Sequence, residues 1–158
     1  MARIPLTEQE AERIVQDRKR VGEDVQWRKA DEGESWLKCE LNVENSLRAN
    51  LKLYLNWNTE EPMLFSFSLI LSNAYRIRGL DFNGSHKNRH TDRKRWQSET
   101  HKHKWTDACR DSFAYTPNDI TAELIEEVFR QFCVECNIEF TGGFSSAPPK
   151  QLNLPGSE

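Results

Sequence analysis

All four histidines of this 158-residue chain fall in one short window: His86, His90, His101 and His103. Imidazole titrates near neutral pH without help from its surroundings, so rings gathered in this way point to proton transfer or metal ligation. From His86 to Lys104 the chain also carries seven Lys and Arg (Lys87, Arg89, Arg93, Lys94, Arg95, Lys102 and Lys104) against Asp92 and Glu99, a local charge of +5. The total is −3, which leaves −8 on the remainder. An acidic average thus conceals a compact basic patch with Trp96 inside it, and cations with an interleaved aromatic suit phosphate contact and base stacking. A generic charge run is a solvated loop, but collecting every histidine of the chain into this one argues for a site.

His101-x-His103 places both rings on one face of an extended segment. Two chemistries compete for them. A metal site could be completed by His86, His90, Asp81 or a cysteine, but a dense shell of Lys and Arg works against a dication. The leading expectation therefore has no metal and no cofactor. The other chemistry is acid–base cleavage of RNA, which needs a base for the 2′-hydroxyl, an acid for the leaving oxygen and cations for the phosphorane. DNA lacks that hydroxyl, so the mechanism itself selects RNA. In this reading His101 and His103 are the acid–base pair, His86 assists, and Tyr115 is an additional donor. Arg78, Lys87, Arg89, His90, Arg93, Lys94, Arg95, Trp96, Lys102 and Lys104 hold nucleic acid, with Arg76 sharing a strand face with Arg78. Asp81 and Asn83 orient the site, although Asp-x-Asn-Gly is also ordinary turn chemistry at a strand end.

The elements that must position these residues read as α+β. Thr7-x-x-Glu10 is a capping box and opens a helix over about Glu8–Val21, with Gly22 as its stop. The period then changes to two: Leu37, Cys39, Leu41 and Val43, then Leu51, Leu53, Leu55 and Trp57, then Met63, Phe65, Phe67, Leu69 and Leu71. Such alternation marks strands with one buried face. Val25–Lys29, Tyr75–Phe82, Thr100–Trp105 and Asn137–Phe140 are further candidates. The expectation is an antiparallel meander of about five to six strands with an N-terminal and a C-terminal helix packed on it. The Met63–Leu71 strand, apolar on both faces, belongs at its centre. Thr116-Pro117-Asn118-Asp119 opens the second helix, whose apolar stripe runs through Ile120, Leu124, Ile125, Val128, Phe129, Phe132, Cys133 and Cys136. That stripe accounts for Cys133-x-x-Cys136 as core, and the four cysteines read as reduced thiols rather than a disulfide scaffold. Residues 1–141 form one domain and 142–158 an extended or mobile tail. No apolar run approaches the roughly 18 residues of a membrane helix and no secretion signal is evident, so the expected location is the cytoplasm.

The stretch from Tyr75 through Arg78, Asp81 and Asn83 to His86, followed by Thr100-His-Lys-His-Lys104, resembles the TumE-like toxins of toxin–antitoxin systems. It is also similar to related uncharacterised prophage and mobile-element proteins, in which the His-x-His segment continues as in Trp105–Asp107, Phe113-Ala114 and Phe132–Ile138. The resemblance covers the second half of the chain and points to Arg78, Asp81, Asn83, His86, His101 and His103. It implies a toxin-like protein acting on RNA, here a metal-independent ribonuclease, with a cognate antitoxin or a host defence protein as a further partner and no membrane. An alternative of another class is a non-catalytic phage or mobile-element inhibitor that binds a host defence complex, such as a CRISPR assembly, or its nucleic acid. A third is a zinc-dependent hydrolase.

Overall fold

A computed structural model describes residues 6–30, 35–84, 86–87, 95–96 and 99–145, with the backbone alone at 86–87 and 95–96. It is α+β, as expected, and consists mostly of one large sheet with two helices. That sheet has nine strands rather than five to six. Helix α1 (Glu8–Gln16) begins at the capping box, where Thr7 and Glu10 exchange side-chain-to-backbone hydrogen bonds. It stops five residues before the expected Val21, because Lys19–Val21 is β1, paired antiparallel with β3 (Trp36–Asn45) and parallel with β11 (Ile138–Phe140). The buried Lys19 ammonium seals this junction by donating to the carbonyls of Val15, Asp17 and Cys136. Those are carbonyls that the ends of both helices leave without an intrahelical partner.

The centre follows the sequence pattern. Strands β3, β4 (Leu51–Asn58), β5 (Phe65–Leu71) and β6 (Tyr75–Phe82) pair antiparallel in chain order, and β5 lies inside the sheet. The Val25–Lys29 candidate contracts to β2 (Arg28–Lys29) on β3 and a bridge from Val25 to Phe144. Residues 86–87 and 95–96 form a two-stranded ladder, β7 and β8. Strand β9 (His101–Thr106) then pairs with β6, and the sheet ends on β10 (Arg110–Tyr115), which the alternation did not announce.

Helix α2 (Ile125–Glu135) begins well after Thr116-Pro117, with Leu124 as a cap that makes no side-chain bond. The preceding segment is held in other ways. Gln131 accepts from the amides of Thr121 and Ala122 and donates to the Thr121 hydroxyl, while Asp119 is drawn to Lys102. Residues 142–145, expected in the tail, are docked: Val25 donates to the Gly143 carbonyl, and Phe144 packs between Trp27 and Phe129. A methyl group on Gly142 would sit 2.0 Å from the Glu23 carbonyl oxygen, so this close passage requires glycine.

One hydrophobic core lies between the sheet and both helices, with Phe67 against Phe129 and Phe132. Burying each such ring stabilises the fold by roughly 1.5–3 kcal/mol. Cys133 and Cys136 are part of this core, both reduced and buried. Burial pushes the Cys133 thiol up to about 12 and raises that of Cys136 as well. Among the described residues no helix is long and apolar enough to cross a membrane.

Candidate functional site

Strands β6 and β9 are in register with Asp81 opposite His101 and Gly79 opposite His103, while Leu80 faces Lys102 and Arg78 faces Lys104. Directly opposed residues of a ladder project to the same side, so this single pairing sorts the chemistry onto two faces.

On the face away from the helices, one carboxylate oxygen gathers both rings. Asp81 Oδ2 lies 2.9 Å from His103 Nε2 and 3.1 Å from His101 Nε2, and the ring centroids are 4.9 Å apart. His101 and His103 are 0% and 2% exposed, while the Asp81 side chain, at 26%, is the member open to solvent. His101 Nδ1 is 2.9 Å from the Glu99 carbonyl oxygen, which only accepts, so this nitrogen carries a proton and donates. Burial by itself would raise the Asp81 carboxyl. The hydrogen bonds from His101 and His103, with Arg76 nearby, outweigh it and hold that carboxyl well below the usual range. Burial lowers His103, against the opposing bond to Asp81.

The site is closed below by Asn83 and Gly84. Asn83 turns the chain at φ 61° and donates its side-chain amide to the Met63 carbonyl. A methyl group on Gly84 would lie 2.9 Å from Asp81 Cβ and 3.4 Å from His101 Cε1, so glycine lets the backbone press against the cluster.

On the helix face the cations are neutralised internally. Arg78 donates to both Glu12 carboxylate oxygens at 2.8 Å, to the Tyr115 hydroxyl at 3.1 Å, and lies 3.3 Å from Glu135. Buried Lys102 is held between Asp119 and Glu135. The Lys104 ammonium sits over the Phe113 and Tyr115 rings.

Several expectations are corrected by this division. His101 and His103 do lie together, both against Asp81 Oδ2. Tyr115 does not join them, because its partner in the ladder is Lys102 and its phenol belongs to the opposite face. Burial beside Glu135 also raises that phenol well above its usual value. Arg78 and Lys102 are closed off by carboxylates rather than presented to phosphate, and Lys104 is engaged by the two rings. The expectations on Arg89, His90, Arg93 and Lys94 lie outside the described residues, as do those on the side chains of His86, Lys87, Arg95 and Trp96.

Two features escaped the sequence. Arg76 and Arg78, two apart, were expected on one face, but the pairing of β5 with β6 shifts register between Leu69 and Ile70. Leu69 faces Arg78 and Ile70 faces Arg76, so the guanidinium of Arg76 goes to the histidine side. There it donates to the Asp111 carbonyl and its charge reaches Asp81 and His103. A bulge leaves little trace in composition. The Glu99 carbonyl is backbone and has no residue-type signal at all. Glu135 did have one: an acid beside the apolar stripe at the end of α2, matching cations at alternate positions of β6 and β9.

No curated protein and no solved structure matches the chain. Residues 6–138, which include both strands of this site, match the family of unknown function DUF6978, and the chain belongs to that family.

Proposed function

We propose that this protein cleaves RNA, in the manner of a toxin or mobile-element nuclease acting in the cytoplasm, and that the reaction runs at Asp81, His101, His103 and Arg76. The observation that carries this reading is the convergence of two imidazoles on one ionised carboxylate, 4.9 Å between ring centroids, with a guanidinium on the same side of the sheet. Cleavage of a ribose phosphodiester needs a base for the 2′-hydroxyl, an acid that protonates the leaving oxygen, and a counter-charge for the pentacoordinate phosphorus. The His pair supplies the first two and Arg76 the third. Substrate approaches past Asp81, the exposed member, rather than through the rings.

The test is purified protein incubated with total cellular RNA. The expected result is RNA loss that falls by orders of magnitude in His103→Ala and in His101→Ala. No loss with stoichiometric protein, with or without added divalent metal, overturns the proposal. Intact binding of RNA or of a host protein by both alanine variants, with no cleavage by the unaltered chain, identifies a non-catalytic binder instead.

A further inference from the structure

The geometry points to a first-row divalent cation, of the Zn²⁺ class, held by Asp81 Oδ2, His101 Nε2 and His103 Nε2. One donor atom from each of the three residues lies within 4.8 Å of the others. Around a tetrahedral ion with ligands at about 2.0–2.1 Å, donor atoms are roughly 3.3 Å apart. The two separations from Asp81, 2.9 and 3.1 Å, are already close to that value.

The protons supply an independent reason. His101 Nδ1 donates to the Glu99 carbonyl, so in a neutral ring Nε2 presents its lone pair. That nitrogen lies 3.1 Å from Asp81 Oδ2, on a carboxylate that is itself an acceptor. Two acceptors at this separation take a positive charge between them, either the proton of a ring protonated on both nitrogens, which makes the hydrogen bond to Asp81 described above, or a metal ion in that proton's place. A ligating histidine whose other nitrogen donates to a backbone carbonyl is the usual outer-shell arrangement of a metal site. Donor type agrees: two imidazoles and one carboxylate suit zinc and its first-row neighbours, and three protein ligands leave a position for water or substrate.

Strand alternation takes two of the cations that argue against a dication from sequence, Lys102 and Lys104, away from the site, while Arg76 is a cation on the histidine side. Lys102 and Lys104 project to the helix face, where Asp119, Glu135 and two aromatic rings hold them. When bound, the cation would lower the pKa of the attacking hydroxyl, and His101 and His103 would serve as ligands in place of the acid–base roles given them above, with solvent taking the hydroxyl proton and supplying one to the leaving oxygen. This assignment of roles rests on the ribonuclease reading, whereas the ion site itself does not.

The full chain, stripped with EDTA and dialysed, is titrated with Zn²⁺ by calorimetry and with Co²⁺ by visible absorption. Expected are one ion per chain, a rise in melting temperature with Zn²⁺, and a ligand-field spectrum indicating nitrogen and oxygen ligation. Affinity should fall at least a hundredfold in Asp81→Asn and in His103→Asn, with folding checked by circular dichroism. Cys133→Ala should bind as the unaltered chain does. No binding by the unaltered chain, a sulfur-type cobalt spectrum, or undiminished binding by the folded variants overturns the site. Should one variant fail to fold, the other and the cobalt spectrum of the unaltered chain decide. RNA cleavage insensitive to EDTA, together with no ion bound, leaves the ribonuclease reading standing and removes the metal. One ion bound with no cleavage does the reverse.

Discussion

Glu135→Gln tests the polar network beneath the site. Glu135 receives Lys102, the Tyr115 hydroxyl and Arg78, and all three side chains are at least mostly buried. The substitution keeps the shape and removes the charge. Of carboxylate partners, Lys102 then retains Asp119 and Arg78 retains Glu12, both about half-exposed, and Arg78 keeps the Tyr115 hydroxyl. Removing one partner of a buried ion pair costs about 3–5 kcal/mol, because the other charge stays desolvated. Each cation here keeps one surface partner, so the low end applies, about 3 kcal/mol. In a domain of this size that lowers the melting temperature by roughly 6–12 °C. Glu126→Gln on the same helix is the control. Its pair with Arg130 is exposed and spaced i,i+4, and such pairs contribute about 0.3–0.5 kcal/mol. Urea denaturation at matched slope measures both variants, and 1 M salt should erase the Glu126 effect while leaving most of the Glu135 effect. Stabilities of the two variants within 0.5 kcal/mol of each other would refute the claim that Glu135 holds the buried cations.

Tyr115→Phe should leave RNA cleavage within about twofold of the unaltered chain, since the phenol lies on the helix face, while costing about 1 kcal/mol for the bonds it shares with Arg78 and Glu135; a hundredfold loss of cleavage in a folded variant would return it to the site. Alkaline pH should destabilise the fold. Above about pH 9 the unfolded chain ionises Cys133 and Cys136 while burial keeps them protonated in the folded one, so the unfolded state binds fewer protons and stability falls by up to about 1.4 kcal/mol per pH unit for each thiol. Lys19, lowered by burial to about 8, acts in the opposite sense between 8 and 10.5, but one amine is outweighed by two thiols. Urea melts between pH 9 and 10.5 should show the decline, flattened in Cys133→Ala/Cys136→Ala, and a flat or rising curve for the unaltered chain contradicts it.

The alternation of Leu37 to Val43, Leu51 to Trp57 and Phe65 to Leu71 was sufficient to place the central strands, because each buries every second side chain against the helices. The same rule put His101 and His103 together. It did not reveal β10 or the early end of α1, because short edge strands bury too little to impose a period, and pairing with distant strands overrides local helix preference at Lys19–Val21. The late start of α2 had a similar cause: Thr116-Pro117-Asn118-Asp119 has good capping residues, but a buried Lys102 ammonium and the Gln131 amide engage that segment first. Local propensity amounts to tenths of a kcal/mol per residue, whereas leaving a buried ammonium without its carboxylate costs several.

The same comparison explains why the charge count misplaced Lys102 and Lys104. A sum over positions 86–104 treats Lys102 like its neighbours and yields a strongly cationic setting for the histidines. In a strand, adjacent residues are on opposite sides of a sheet, and here the sheet separates two electrostatic environments. On one side, three carboxylates and a phenol meet Arg78 and Lys102. On the other, Asp81 faces two imidazoles, and Arg76 contributes its charge across a bulge that no count of charges would register. The His-Lys-His triplet is therefore two sites interleaved: its histidines converge on Asp81, and its lysine ties α2 and the segment before it to the strand that carries them. A substitution at Lys102 should act on activity only through the position of β9, and one at Asp81 directly.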